Sequence, residues 1–154
     1  KDLLESWRES KINLKLLIIG NGQLEKEIIK KYSSGNIEFL GFLENKKTID
    51  LIKKARAVIT ATKMFEGQPR LISEASAHGV PSIYPSFGGL DEYFPDDYKL
   101  SFKQFDYTDL QNKLSLLSNS EMLNSIGEKN KNFVSSNLSF EELNSKFEKI
   151  INEL

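Results

Sequence analysis

The chain has 154 residues, 39% of them hydrophobic and 28% charged, with a formal net charge of -1, which suits one ordinary globular domain with a core of its own. The balanced charge carries no overall electrostatic signature for nucleic acid or an anionic membrane. With no cysteine and a single histidine, His78, the sequence has no disulfide framework, no thiolate or multi-histidine metal site and no cysteine nucleophile, and a Ser-His-Asp triad would have to be built around His78 alone.

Lys1 to Arg8 has helical spacing, with Leu3, Leu4 and Trp7 on one face. This charged amphipathic opening is unlike a secretory signal, and no apolar run approaches the ~20 residues of a membrane span. A chain that opens inside a helix and without Met is expected to have lost something upstream. Leu14 to Ile19 (LKLLII) is an apolar run ending at Gly20, the pattern of a buried parallel strand. Gln23 to Tyr32 returns to helical spacing, and Ser33 to Asn36 is a turn cluster. A second strand is predicted over Ile37 to Leu40, ending at Gly41. A helix follows over Lys46 to Ala55, then a third strand over Ala57 to Thr62. Pro69 to His78 is the next helix, opened by proline and closed by Gly79. Pro81 to Tyr84 is a fourth strand, Gly88-Gly89 a loop, and Leu100 to Phe102 a short fifth strand. The rest reads as helix. Asp106 caps a segment with Leu110, Leu114 and Leu117; a second helix covers Ser120 to Val134; a third starts at a Ser139/Glu142 capping box and carries Phe140, Leu143, Phe147, Ile150 and Ile151 on one stripe.

Strand and helix alternate with short connections, so the expected fold is α/β, a Rossmann-like doubly wound parallel sheet with C-terminal helices, in a single domain over 1–154. Ligands of such sheets bind beyond the carboxyl ends of the strands. Four segments lie there: Gly20 to Leu24, Gly41 to Glu44, Lys63 to Arg70, and Pro85 to Glu92. The first, Gly20-Asn21-Gly22, opens a helix and suits a phosphate. Alone it fits a tight turn better, because a dinucleotide fingerprint wants a third glycine where Glu25 stands. In the third, Glu66 lies in the loop and Glu74 in the second turn of the helix that follows, among Ser73, Ala75, Ser76 and Ala77. Such small neighbours allow close approach, and a carboxylate offers two acceptors to paired hydroxyl donors, as on a ribose. The glycine pair of the fourth segment exposes backbone N–H groups.

The stretch FEGQPRLISEASAHGVPSIYPSFGGLDE, residues 65–92, resembles the core of the retaining GT-B glycosyltransferases of family 4. The hallmarks are two glutamates with seven residues between them, Glu66 and Glu74, then a helix with Ala75 and Ala77, Gly79-Val80-Pro81, and Gly88-Gly89 with Glu92 after it. Leu17 to Gly22 resembles the family's strand and glycine turn, and Ile37 to Leu43 its next strand and base-binding loop.

The resemblance implies one half of a GT-B fold, the domain that binds a nucleotide-diphosphate sugar, for retaining hexosyl transfer to an acceptor glycan or glycolipid in surface polysaccharide synthesis. It implies that the acceptor-binding N-terminal domain lies outside this chain, and that the fragment alone is inactive. By the same resemblance Glu66 would contact the donor sugar at the reacting centre and Glu74 the ribose hydroxyls. Gly20 and Gly22 would form the glycine turn. Gly41, Phe42 and Leu43 would frame the base. Gly67, Gln68, Arg70 and Leu71 would lie along the diphosphate and sugar, and Gly88 and Gly89 would form the cleft loop. No metal and no cofactor is expected, no nucleic acid partner and no transmembrane segment. The location implied is cytoplasmic, with peripheral contact at the inner membrane face through the other domain.

Three departures stand out. Pro69 occupies a position where the family often has glycine, which removes one N–H donor. His78 stands where many relatives have cysteine and is read as a packed or rim residue. The Arg and Lys that the family carries near the first strand of this domain precede the chain, and neither Lys63 nor Arg70 is assigned their role. Two rivals remain. A dinucleotide-binding oxidoreductase would want a third glycine near Glu25 and an acidic residue at the end of the second strand, where Glu44 is a poor candidate. A decayed, non-catalytic nucleotide-sugar or scaffold module is opposed by the persistence of both glutamates.

Overall fold

The computed structural model describes residues 2–33, 35–67 and 69–153. In chain order the described elements are α1 (Asp2–Ser10), β1 (Leu16–Ile19), α2 (Glu25–Tyr32), β2 (Ile37–Gly41), α3 (Asn45–Ile52), β3 (Val58–Ile59), α4 (Arg70–Ala77), β4 (Ser82–Ser86), β5 (Ser101–Lys103), α5 (Tyr107–Ser115), α6 (Ser120–Asn137) and α7 (Phe140–Asn152), with 3-10 turns at Leu90–Tyr93 and Leu116–Ser118. All strand pairs are parallel. The fold is the expected Rossmann-like α/β architecture.

The sheet, however, is in two pieces. β1 pairs with β2, and β3, β4 and β5 form a second ladder in that order. The third strand is also shorter than the span 57–62 predicted for it, and proline explains where it stops. The Val58 and Thr60 N–H groups donate to Pro81 and Ile83 of the neighbouring strand. The next rung needs an N–H at position 85, and Pro85 has none. Past Thr60 the chain therefore leaves the sheet and becomes the loop that carries Glu66.

The main core lies on one side of these strands. Leu16, Ile37, Ile83 and Phe102 meet Leu4 and Trp7 of α1 and Leu110 and Leu114 of α5. These helix residues are spaced three or four apart, so each helix turns one apolar stripe inward. On the other side Ile72 packs with Tyr84, Leu90, Tyr93 and Phe94, and Ala75 with Ile52, Val58 and Val80. In contrast, α7 buries no residue: Phe140 is 80% exposed and Phe147 60%. None of the described helices is long and apolar enough to cross a membrane.

Helix ends follow the expected chemistry. Gly79, at φ +70°, reverses the chain after α4. Ser139 accepts from the Glu142 N–H at 3.2 Å, one half of the capping box. Asp106 accepts from the Asp109 N–H at 2.9 Å to cap α5. Asp106→Ala should therefore lower stability by about 1 kcal/mol, read as a shift in the urea midpoint with an unchanged slope.

Candidate functional site

The four carboxyl-end segments meet on one rim. β1 runs out at Gly20 and β2 at Gly41. The β1/β2 pairing slips between Ile18 and Ile19, leaving an extra residue in β2, and this bulge turns the second strand at Gly41. Gly20 (φ +116°) and Gly41 (φ +64°) both need the left-handed region. The Gly20 N–H donates to the Gly41 carbonyl at 2.7 Å, tying the first two turns together. A Cβ at Gly20, Gly22, Gly41 or Gly67 would meet nothing within 4 Å, so these positions face open space. Phe42 beyond them is 73% exposed, and Leu43 is half-buried.

The third and fourth segments are clasped. The Gly89 N–H donates to the Glu66 carbonyl at 3.1 Å. A Cβ on Gly88 would lie 2.8 Å from that carbonyl oxygen, and one on Gly89 would lie 3.0 Å from the carbonyl oxygen of Gly67. The glycine pair is thus there for close approach. The ring of Phe65 stands edge-on to Phe87 at 5.4 Å on the same contact. Asp91 fixes the far end of the glycine loop by accepting from the Tyr84 hydroxyl at 2.9 Å and the Ser86 hydroxyl at 2.7 Å. Burial, aided by the charge of Asp91, pushes the Tyr84 phenol well above its ordinary value, so it stays a neutral donor.

The two glutamates differ in their surroundings. Glu66 is half-buried, with its backbone held by the clasp. Glu74, on α4, has a side chain only 21% exposed. Its Oε1 accepts from Asn45 Nδ2 at 3.3 Å and Arg70 Nη2 at 3.2 Å, while Arg70 also donates to Asn45 Oδ1 at 3.0 Å. Among the described residues Oε2 takes no hydrogen bond. This three-residue knot links the start of α3 to the start of α4. Its ion pair alone contributes little, because the Arg70 side chain is 79% exposed; its effect is to aim the carboxylate.

The first amides of α4 have no acceptor within the helix and form the positive end of its dipole. Pro69 precedes them as the N-cap (φ -74°, ψ 121°), one position earlier than the first helical residue that the sequence predicts for it. Leu71 contributes its backbone there, but its side chain turns inward to line the cavity between β1 and β3. Gln68 lies outside the described residues. His78 is an exposed residue at the C-terminal cap of α4, the opposite end from Arg70, so it is a rim residue of that face and not of the site. Lys63 is already engaged. It pairs with Asp2 at 2.5 Å beside the Tyr107 ring. Hydrogen bonding within this pair lowers the Asp2 carboxyl and raises the Lys63 ammonium from their ordinary values. An acid shifted down keeps its contribution until pH falls through its folded value, and a base shifted up keeps its own until pH rises through its folded value, so the pair persists across the neutral range.

Asn45, Tyr84 and Asp91 are the rim residues that sequence reasoning leaves out. Asn45 stands directly before the predicted helix at Lys46, and Asp91 lies within the fourth segment; a polar residue at a helix entry on the ligand side was the available signal. A cavity of about 580 Å³ lies elsewhere, between β1 and β3: Gly20, Gly41, Glu66 and Glu74 do not line it. The rim is an open shelf. It offers backbone N–H groups and a helix N-terminus for an anion, and an aimed carboxylate for paired hydroxyls.

Comparison with known proteins adds the following. The family model described as Glycosyl transferases group 1 matches residues 1–133. The chain is 30% identical over 83 residues to the amylovoran biosynthesis glycosyltransferase AmsD of Erwinia amylovora, a match covering 53% of this chain and 24% of that protein. It is similar in fold to Anabaena Alr3699/HepE solved in complex with UDP-glucose, with TM-score 0.79, 18% identity, and 99% of this chain against 44% of that one. It is similar also to TarM of S. aureus in a structure with UDP, with TM-score 0.80, 18% identity, and 98% of this chain against 31% of that one. The chain thus spans less than half the length of each of these proteins.

Proposed function

The chain belongs to the glycosyl transferases group 1 family, and from that premise we propose that its rim binds a nucleotide-diphosphate sugar for hexosyl transfer, with retention at the anomeric carbon as in family 4. The observation that carries this reading is the Glu74 carboxylate, aimed by Asn45 and Arg70 through Oε1 while Oε2 is left for a ligand hydroxyl. A ribose diol donates two hydrogen bonds and suits such a carboxylate. The diphosphate then falls toward the first turn of α4 and Gly67, the base toward the backbone of Gly41 to Leu43, and the sugar toward Glu66. Relatives support the ligand class: HepE was solved with UDP-glucose and TarM with UDP.

In this reading the sugar C1–O bond to the diphosphate breaks, the acceptor hydroxyl oxygen forms the new bond to C1, the electron pair leaves with the nucleoside diphosphate, and the acceptor's hydroxyl proton passes to the departing diphosphate oxygen. The protein's part is electrostatic and positional. Glu66 orients the donor sugar at the reacting centre. Backbone donors, the helix dipole and cations balance the leaving charge, so the reaction requires no metal. The acceptor, a glycan or glycolipid of surface polysaccharide synthesis, binds on a second domain, which also sets any contact with the inner face of the membrane. The 154-residue chain alone is then inactive, and sugar transfer by the purified chain would contradict this.

Calorimetric titration with UDP, GDP and ADP tests the reading. One nucleotide should bind in preference to the others, and Glu74→Ala should weaken it by about 10- to 100-fold, the loss of charge-assisted hydrogen bonds worth about 1.5–3 kcal/mol. Equal weak binding of all three, unchanged by Glu74→Ala here and in a chain extended upstream, would overturn it.

A further inference from the structure

The loop after β3 carries apolar side chains out into water. Met64 and Phe65, side by side, are both 74% exposed, and half-buried Phe87 of the next loop stands against Phe65. One exposed phenylalanine is ordinary on a protein surface, whereas a contiguous apolar patch beside a ligand shelf marks a contact.

The patch is held still from both sides. The Met64 N–H donates to Thr62 Oγ1 at 3.2 Å, closing the turn that presents the ring. On the other side the Gly89 N–H holds the Glu66 carbonyl at 3.1 Å. Phe65 and Phe87 meet with ring centres 5.4 Å apart and planes at 78°. An edge-to-face pair engages at most one face of each ring, so Phe65 keeps a face for a ligand. Each of the two also directly precedes a member of the clasp, Phe65 before Glu66 and Phe87 before Gly88. The exposed ring is therefore tied to the backbone that carries the Glu66 carboxylate. That carboxylate has no hydrogen-bond or ion-pair partner among the described residues.

A free aromatic face next to an unengaged carboxylate selects its occupant by chemistry. The face is electron-rich and attracts the weakly positive hydrogens of C–H groups, while the carboxylate accepts from hydroxyls. A pyranose supplies both, with C–H groups on one face and hydroxyls around its edge. An acyl chain would suit the ring and leave Glu66 without donors. A phosphate would be repelled by the carboxylate and gain nothing from the ring.

We propose that Phe65, braced by Phe87, is a stacking platform for one pyranose ring, with the hydroxyls of that ring turned to Glu66. The platform rests on the reading of the rim as a nucleotide-sugar site and adds a positioning residue to it. Stacking sets the plane of the sugar, and the hydroxyl contacts set its rotation within that plane.

NMR titration of the chain tests this, read at the Phe65 ring protons and at the Glu66 and Gly89 amides. The probes are methyl α-glucoside, methyl α-galactoside and methyl α-mannoside to about 100 mM, with glycerol, which has hydroxyls but no ring face, as control. At least one glycoside should shift all three signals to saturation, and glycerol none. Phe65→Leu keeps an apolar side chain without a ring and should weaken that glycoside about 3- to 10-fold, read at the two amides, while Phe65→Tyr should restore it. Both variants should keep the parent's thermal midpoint, because Phe65 lies outside the core. A second titration on the chain saturated with UDP-glucose separates the two sources of the sugar. Glycoside shifts that persist there identify an acceptor ring. Phe65 shifts that UDP-glucose produces, that UDP does not, and that block the glycoside identify the donor sugar. Glycoside binding without binding of any nucleotide supports the platform and sinks the nucleotide half of the rim reading. Nucleotide binding that is lost in Glu74→Ala, with no signal at Phe65 from any glycoside or from UDP-glucose, sinks the platform alone. Equal binding by Phe65→Leu, or glycerol shifts as large as those of the glycosides, overturns it as well.

Discussion

Replacing Gly127 by alanine is expected to destabilise the domain by about 3 kcal/mol, although glycine to alanine inside a helix ordinarily stabilises by about 1 kcal/mol. Gly127 lies in the middle of α6, where that helix crosses the turn after α4. A Cβ there would sit 1.9 Å from the Gly79 carbonyl oxygen, 2.9 Å from its carbon and 3.2 Å from Pro81 Cδ. The obstacles are backbone and a proline ring, which cannot rotate aside. The interface also holds the buried Asn130 side chain, whose Nδ2 donates to Ser76 Oγ at 2.8 Å, so pushing the helices apart strains a buried hydrogen bond as well. Overpacking of this kind costs about 1–3 kcal/mol or more and outweighs the helix preference. Thermal denaturation should show a fall of roughly 10 °C for a domain of this size. Gly67→Ala is the control: its Cβ meets nothing within 4 Å, so its midpoint should scarcely move. A Gly127→Ala protein as stable as the parent would mean that α6 does not approach the Gly79 turn this closely.

Gly88→Val is expected to act on the rim while sparing the core. Position 88 has φ +69°, and its Cβ would lie 2.8 Å from the Glu66 carbonyl oxygen and 3.5 Å from the Glu66 nitrogen. A β-branched residue is a poor fit to that backbone, at about 1–2 kcal/mol, and the clash adds to it. The loop can relieve both by lifting away, which breaks the Gly89 N–H bond to Glu66. Exchange of the Gly89 amide should then quicken at least ~10-fold, with nucleotide-sugar affinity falling alongside it, while the thermal midpoint changes little because the loop is exposed. Gly35→Val separates the two causes, since Gly35 shares a φ of +70° but has nothing within 4 Å of its Cβ. It should show strain without any change at the rim. Unaltered Gly89 exchange in Gly88→Val would refute the clasp.

Much of this was legible in the sequence. Short runs rich in Leu, Ile and Phe and ending in glycine mark β1 and β2, and caps such as Asp106 and Ser139 are local chemistry written within three residues. Glu66, Glu74 and the glycine pair could be ordered onto strand ends for the same reason. What escaped depends on partners far along the chain. The run 57–62 is strand-like throughout, rich in β-branched residues, yet its ladder stops because of a proline more than twenty residues later. Asn45 is an ordinary polar residue until α3 and α4 pack side by side and bring it to Glu74. The division of the sheet has no local pattern at all, since each strand is well formed by itself. The stripe on α7 was legible as amphipathic, but amphipathic spacing does not state what it faces, and here it faces solvent.

The cross-links on the rim bear on the thermodynamics of capture. Gly20 is bonded to Gly41, Asn45 to Arg70 and Glu74, and Gly89 to Glu66, so every one of the four loops is tied to another before any ligand arrives. Loops that must be ordered on binding subtract their lost conformational entropy from the affinity, whereas loops already ordered do not. A ligand settling on this shelf therefore retains most of what its own contacts provide. Its binding should be accompanied by a heat-capacity change that reflects the buried contact area rather than the larger change that accompanies coupled folding.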